Sequence, residues 1–220
     1  MKSCVIGAKM QNTLQDKMDT TISSLAELEA LYHPVNPTSV LKEIDHINAY
    51  YARYIEASPF VIISTCGPEG LDCSPRGDPA GFVRVANPKT LMIPDRRGNN
   101  RVDSLRNIVR DPRIALLFMI PGVGNTMRVN GRAALSTDKV LCESFAMRGN
   151  PPACVIVVHV ESAYPQCQKA LVRSKLWDQD TQRPHDTLPS IGTMMQALDP
   201  SFEGAAYEAN YPARMEKTMY

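Results

Sequence analysis

LMIPDRRGNNRVDSLRNIVRDPRIALLFMIPGVGNTMRVNGRAA, residues 91–134, carries the reading of the whole chain. An apolar strand over Leu91–Pro94 runs into a basic, glycine-containing turn, Asp95–Asn100. A helix is expected over Arg101–Arg110. It stops at Asp111-Pro112, because proline lacks an amide donor and disfavours a helical residue before it. Two strands are expected next, Arg113–Ile120 and Thr126–Leu135. Between Arg84 and Arg113 eight Lys and Arg face three Asp, a net of +5, whereas the whole chain is +1. The remainder is therefore net acidic, and positive charge is concentrated on one strand–turn–helix unit. Such a unit suits an anion: amides at a helix start lack partners, the helix dipole is positive there, and arginines grip phosphate oxygens bidentately. Asn100 is the expected N-cap, with Asn99 beside it and Arg101 in the first turn.

Outward from this unit, PFVIIST (59–65) is continuously apolar and β-branched, the pattern of a core strand. CGPEGLD (66–72) has the composition of a hairpin turn, and Cys73–Arg76 returns from it, aiming Arg76 at the anion site. Gly81–Ala86 alternates as a strand does. Downstream, Thr137-Asp138 can cap a helix over Lys139–Arg148, Ala153–Val160 reads as a strand, and Tyr164–Trp177 is helical in pattern. Upstream, Ile22, Leu25, Leu28 and Leu31 recur at spacing three, predicting a helix over Thr20–Tyr32. Val40, Leu41, Ile44, Ile47 and Tyr51 predict a second helix over Pro37–Ala57. The expected organisation is an N-terminal arm (1–19), a helical segment packed on the sheet (20–57), a barrel with helices (58–177) and a C-terminal extension (178–220). Six short, closely spaced strands with one crossover helix among them argue against a doubly wound parallel sheet. They fit a mainly β, α+β fold: a small antiparallel barrel with helices outside it.

Composition excludes several functions. A net charge of +1 on 220 residues argues against a whole-surface polyanion binder. No aromatic residue lies within 84–113, so a nucleic-acid surface there lacks a stacking platform. None of the six cysteines forms Cys-x-x-Cys or a zinc spacing; they read as reduced thiols of a cytoplasmic protein, with no metal expected. No apolar run approaches the roughly 18 residues of a membrane span, and the apolar run at the N-terminus is too short for a signal peptide. GVGNT (122–126) lacks the Lys-Ser/Thr ending of a phosphate loop and precedes a strand. None of His33, His46, His159 and His185 sits in a glycine elbow, so no catalytic side chain is assigned.

The order of strand, polar turn, cation-bearing helix start, DPRIALLF (111–118) and a strand carrying RVNGRA (128–133) resembles the pyridoxamine 5′-phosphate oxidase family. The likeness spans about Pro59–Leu135 and points to a less characterised branch. It implies FMN held in an antiparallel split β-barrel, at the interface of a homodimer. The family's phosphate-gripping elements fall on Ile93-Pro94-Asp95 and Asn99-Asn100-Arg101, with Arg101 replacing a lysine and adding bidentate geometry. The implied cofactor set is Arg76, Arg84, Pro94, Asp95, Arg96, Asn99, Asn100 and Arg101, joined by Thr126, Arg128 and Asn130 of the strand that meets the partner's flavin. The C-terminal Arg-Leu-x-Pro signature of the true oxidases is missing, so pyridoxamine phosphate oxidation is not implied. Arg173, Ser174, Lys175 and Trp177 are candidates for the substrate side; the same segment reads equally as a helix packed on the barrel through Trp177. The implied activity is transfer of a hydride or electrons between FMN and a small molecule. The alternative is a non-catalytic flavin- or haem-binding sensor or store.

Overall fold

The computed structural model describes residues 21–220, which fall into two units, 21–41 and 42–220. The expected arm, 1–19, and Thr20 lie outside these residues. The first unit holds α1 (Leu25–Ala30) and α2 (Pro37–Leu41), neither of which buries a residue. Ser24 caps α1, its hydroxyl accepting from the Glu27 amide at 3.2 Å.

The second unit is built on one seven-stranded sheet. Its strands are β1 (Phe60–Gly67), β2 (Gly70–Gly77), β3 (Arg84–Asn87), β4 (Thr90–Pro94), β5 (Arg113–Met119), β6 (Thr126–Ser136) and β7 (Val155–Gln166). They lie in the order β2-β1-β5-β6-β7-β4-β3, and every pairing is antiparallel. The expected antiparallel β architecture with flanking helices is present. The expected closure is not seen among the described residues: there β2 and β3 are edges, and no ladder joins them. The β2 side of the sheet and the segment after β4 meet through side chains instead. Arg76 Nη2 of β2 lies 3.7 Å from Asp95 Oδ1, just past β4, and Arg96 Nε donates to Asp78 Oδ2 at 2.6 Å.

The period of two decides the core. Val61 and Ile63 of β1, Leu116 and Phe118 of β5, and Met127 and Val129 of β6 point inward and are buried. On the opposite face, Ile62, Leu117, Arg128 and Tyr164 form one row across β1, β5, β6 and β7, all of them half-buried. The helices α3 (Ala49–Ala57), α4 (Asp103–Arg110), α5 (Lys139–Ser144) and α6 (Lys169–Ser174) follow in chain order, and then the pair α7 (Ile191–Leu198) and α8 (Gly204–Thr218). Ile55 of α3 is fully buried in the main core. On α4, Ser104, Asn107 and Ile108 are buried at i, i+3 and i+4, and Asn107 Nδ2 donates to Thr65 Oγ1 of β1 at 3.2 Å.

Several expected elements have other bounds, among them the helix expected over Thr20–Tyr32, which is Leu25–Ala30, and the one expected over Lys139–Arg148, which ends at Ser144; three others differ for a visible local reason. The helix expected over Pro37–Ala57 is two helices, α2 and α3. Ile44 between them pairs with Ala163 of β7 as a bridge, and Asn48 restarts the helix by accepting from the amides of Tyr50 and Tyr51. The strand expected over Ala153–Val160 continues to Gln166 as β7, and the helix expected from Tyr164 begins only at Lys169. The register steps at Asn130/Gly131, where Asn130 pairs with Ser162 and Gly131 with Val160, leaving Glu161 as the extra residue of a bulge. Inward positions on β7 change there from 156, 158 and 160 to 163, and the alternation read from sequence breaks.

Gly131 shows how tight that pairing is. A Cβ there would sit 2.0 Å from the His159 carbonyl oxygen, whereas one at Gly98 would meet nothing within 4 Å. Gly131→Ala is expected to destabilise the fold by about 3 kcal/mol or more, and Gly98→Ala by less than about 1 kcal/mol, measured by denaturant unfolding.

Candidate functional site

Where β2 and β4 end, the chain leaves a cleft of about 650 Å³. One wall is the turn from Asp95 to Val102 that leads into α4. The local chain direction there is set by two residues in the left-handed region, Asn100 (φ 61°) and Val102 (φ 45°). This corrects the expected cap: the helix begins at Asp103, Val102 holds the N-cap position, and no side chain caps it. Asn100 is not the cap, and Asn99 Oδ1 instead accepts from the Arg101 amide at 3.1 Å. The first intrahelical amide is that of Arg106, which donates to the Val102 carbonyl at 2.9 Å. The amides of Asp103, Ser104 and Leu105 precede it and lie at the positive end of the helix dipole.

The cleft is cationic, though its arginines differ. Arg96 is committed to the scaffold: besides Asp78 it donates to the Phe145 carbonyl at 2.6 Å, and it is 15% exposed. Arg101 is 80% exposed and pairs with Asp103 at 2.6 Å, a contact solvent weakens. Arg97 lines the cleft and is exposed. Burial raises the Asp95 carboxyl above its usual range, with Arg76 opposing. Burial also pushes the Cys154 thiol up to about 11, so it stays mainly protonated at neutral pH. Beside the cleft, at the start of α4, a recess holds Asp72, whose Oδ2 accepts from Ser74 at 2.9 Å and Ser104 at 2.5 Å. This carboxylate disfavours an anion inside the recess and directs one toward Arg97 and residues 99–101.

Seven of the residues singled out from sequence share this cleft: Arg76, Pro94, Asp95, Arg96, Asn99, Asn100 and Arg101. Arg84 does not reach it. Its guanidinium donates to Ser144 at 2.9 Å and stacks 3.7 Å from the Phe145 ring centroid, fixing α5 to β3. Thr126, Arg128 and Asn130 do not line the cleft of their own chain. Arg128 Nη1 donates to the Tyr164 hydroxyl at 3.1 Å, Asn130 Nδ2 to Ser162 at 3.3 Å, and Thr126 lies against Gln166. Arg173, Ser174, Lys175 and Trp177 also lie off the cleft lining. Trp177 Nε1 donates to the Val123 carbonyl at 3.0 Å, anchoring the segment after α6 to the β5–β6 turn. Sequence reasoning missed the apolar walls, Phe82 and the pair Pro151-Pro152, and it missed Tyr220. Two adjacent prolines after Gly149-Asn150 signal a rigid turn, but nothing local to Tyr220 marks it as a cleft residue. Among the described residues, no His, Cys, Asp and Glu cluster could hold a metal ion, and no helix is long and apolar enough to cross a membrane.

Comparison with known proteins gives a family match. The family described as pyridoxamine 5′-phosphate oxidase matches residues 47–167. Among solved structures, HupZ of Group A Streptococcus aligns at 18% identity over 55% of this chain and 94% of that one, with a TM-score of 0.45. General Stress Protein 26 of Bacillus anthracis aligns at 14% identity over 51% of this chain and 88% of that one, with a TM-score of 0.40. An FMN-binding protein of Syntrophomonas wolfei aligns at 11% identity over 52% of this chain and 82% of that one, with a TM-score of 0.41. No curated protein matches.

The Asp78–Arg96 pair is the buried electrostatic contact of the site, with the Asp78 side chain only 2% exposed. Asp78→Ala strands the Arg96 charge and is expected to cost about 3 kcal/mol of stability. Asp103→Ala, which breaks a solvated pair, is expected to cost no more than about 0.5 kcal/mol, both read by denaturant unfolding.

Proposed function

The chain belongs to the pyridoxamine 5′-phosphate oxidase family, and from that premise we propose that it is a flavoprotein that binds FMN in this cleft and acts as an oxidoreductase on a small molecule. One observation carries the proposal: a cationic turn, Arg96–Arg101, stands at the uncapped start of α4 beside an apolar-walled cleft of ligand size. The residues fit the cofactor. Arg97, Asn99, Asn100 and Arg101 supply cation and amide donors for a phosphate, while Phe82, Pro151 and Pro152 offer apolar surface to a planar ring. No GxGxxG fingerprint of a dinucleotide fold is present, which favours the mononucleotide over FAD. Bound FMN would supply the hydride or electron transfer. The chain's part is to hold the phosphate through Arg101 and its neighbours, to exclude water with the proline wall, and to keep the Cys154 thiol neutral beside the ring.

The test begins with cofactor identity. Purified or reconstituted protein is expected to release FMN on heating, identified by mass; FAD alone, or no flavin, overturns the reading. Arg101→Ala is expected to weaken FMN about tenfold, or roughly 1.4 kcal/mol. Arg110→Ala should change affinity less than about twofold, because that side chain sits at the far end of α4, donating to Glu69. Equal losses at the two positions would favour a solvated arginine face. Turnover with NADH or NADPH and an acceptor separates an enzyme from a flavin store.

We further propose a homodimer in which the sheet serves as the split barrel of the family and a second copy completes the flavin site. Phe60, Ile62, Leu117 and Met119 on the outer face of β1 and β5 are half-exposed and flank Arg128 and Asn130. A two-fold contact over this face covers the apolar residues and brings Arg128 and Asn130 toward the partner's cofactor. Light scattering of the flavin-loaded protein at micromolar concentration is expected to give twice the chain mass; a value near 24.3 kDa removes the dimer.

A further inference from the structure

The C-terminal helices make a self-contained piece. α7 and α8 touch backbone to backbone: a Cβ on Gly204 would lie 2.5 Å from the Gly192 carbonyl oxygen. The Gly192 amide donates to Glu208 Oε1 at 2.5 Å, and Phe202, Tyr207 and Tyr211 stack in sequence along α8 and the turn before it. The two helices therefore move together. Their hold on the sheet is much narrower. Among the described residues, every hydrogen bond and ring contact between 188–220 and 42–177 runs through Tyr220. Ile191, Leu198 and Met215 stay exposed, so no broad apolar interface supplements it.

Tyr220 is placed at the cleft itself. Its hydroxyl donates to Asp78 Oδ1 at 2.9 Å, on the carboxylate whose other oxygen holds Arg96. Two guanidiniums lie near its ring, Arg96 at 5.8 Å and Arg148 at 5.3 Å from the centroid, and it lines the cleft with Pro151, Pro152 and Cys154. The neighbouring Asp78 carboxylate raises the phenol further above its usual range, so the donor keeps its proton throughout the neutral range.

We infer that Tyr220 is a latch: its contact with Asp78 and the two arginines ties the α7–α8 hairpin to the wall of the cleft, and its release widens the cleft for ligands. One hydrogen bond to a carboxylate, with ring–guanidinium contacts, is strong enough to keep the closed form dominant and weak enough to release reversibly. The hairpin's hold on the cleft is then set at a single side chain.

Cys154 reports the opening, since its thiol lines the same cleft and is buried, while Cys142 lies buried in a separate cluster with Phe145 and Val155. The full-length protein is labelled with N-ethylmaleimide under native conditions, and the rate at each cysteine is read by peptide mass spectrometry. Tyr220→Ala is expected to speed Cys154 about tenfold and Tyr220→Phe, which loses only the hydroxyl, by a smaller factor, with Cys142 unchanged. Cys154 rates within twofold of wild type in both variants overturn the latch. If Tyr220→Ala speeds Cys142 as well, the Tyr220→Phe variant decides: Cys154 alone accelerated supports the latch, and no acceleration overturns it. FMN association, followed by flavin fluorescence, is expected to quicken in the same order. Absence of FMN binding in every variant would count against the cofactor reading, and the thiol rates would still judge the latch.

Discussion

An antiparallel sheet that leaves two edges unpaired among the described residues has to hold its flanks together by something other than a ladder. Here the buried pair of Arg96 and Asp78 does so, linking the segment after β4 to the segment after β2. Each charge is costly to bury, so neither tolerates loss of the other. Arg96 spends a second donor on the Phe145 carbonyl, which ties α5 into the same knot, and Asp78 spends its other oxygen on Tyr220. The width of the cleft, the position of α5 and the seat of the C-terminal hairpin thus share one guanidinium and one carboxylate.

How much of this was legible in the sequence depended on whether the pattern was local. The strands Leu91–Pro94 and Arg113–Ile120 stand nearly as read, because continuous apolar runs bounded by turn residues are self-announcing. Asp111-Pro112 ended α4 where expected, with its last residue at Arg110. The bulge at Glu161 was not legible: one extra residue flips the inward positions of β7, and a period read past it looks like the start of a helix. The break between α2 and α3 hid for a similar reason. Ile44 and Ile47 keep helical spacing with Tyr51, yet Ile44 owes its place to a backbone bridge with a residue 119 positions away, Ala163.

The charge cluster was legible as a cluster and not as a division of labour. Sequence reasoning singled out Arg101 but placed Arg76, Arg84 and Arg96 beside it in the same cofactor set. The fold assigns Arg84 to the Phe145 ring just after α5, Arg96 to a buried carboxylate, and leaves Arg97 and Arg101 toward solvent. These fates depend on which carboxylate or carbonyl arrives from a distant strand, and no spacing rule encodes that. Tyr220 is the extreme case, meeting a partner 142 positions earlier in the chain.

Val102 adds something that no contact list conveys. A β-branched residue at φ 45° carries backbone strain on the order of 1–3 kcal/mol, and Asn100 two residues before it adopts the same hand at smaller cost. The fold meets that cost during its own formation. A ligand that meets the turn in this conformation adds no backbone strain of its own and has less conformational entropy to remove. Glycine at 102 would relax the strain and loosen the turn together, trading a more comfortable free protein for a less prepared one.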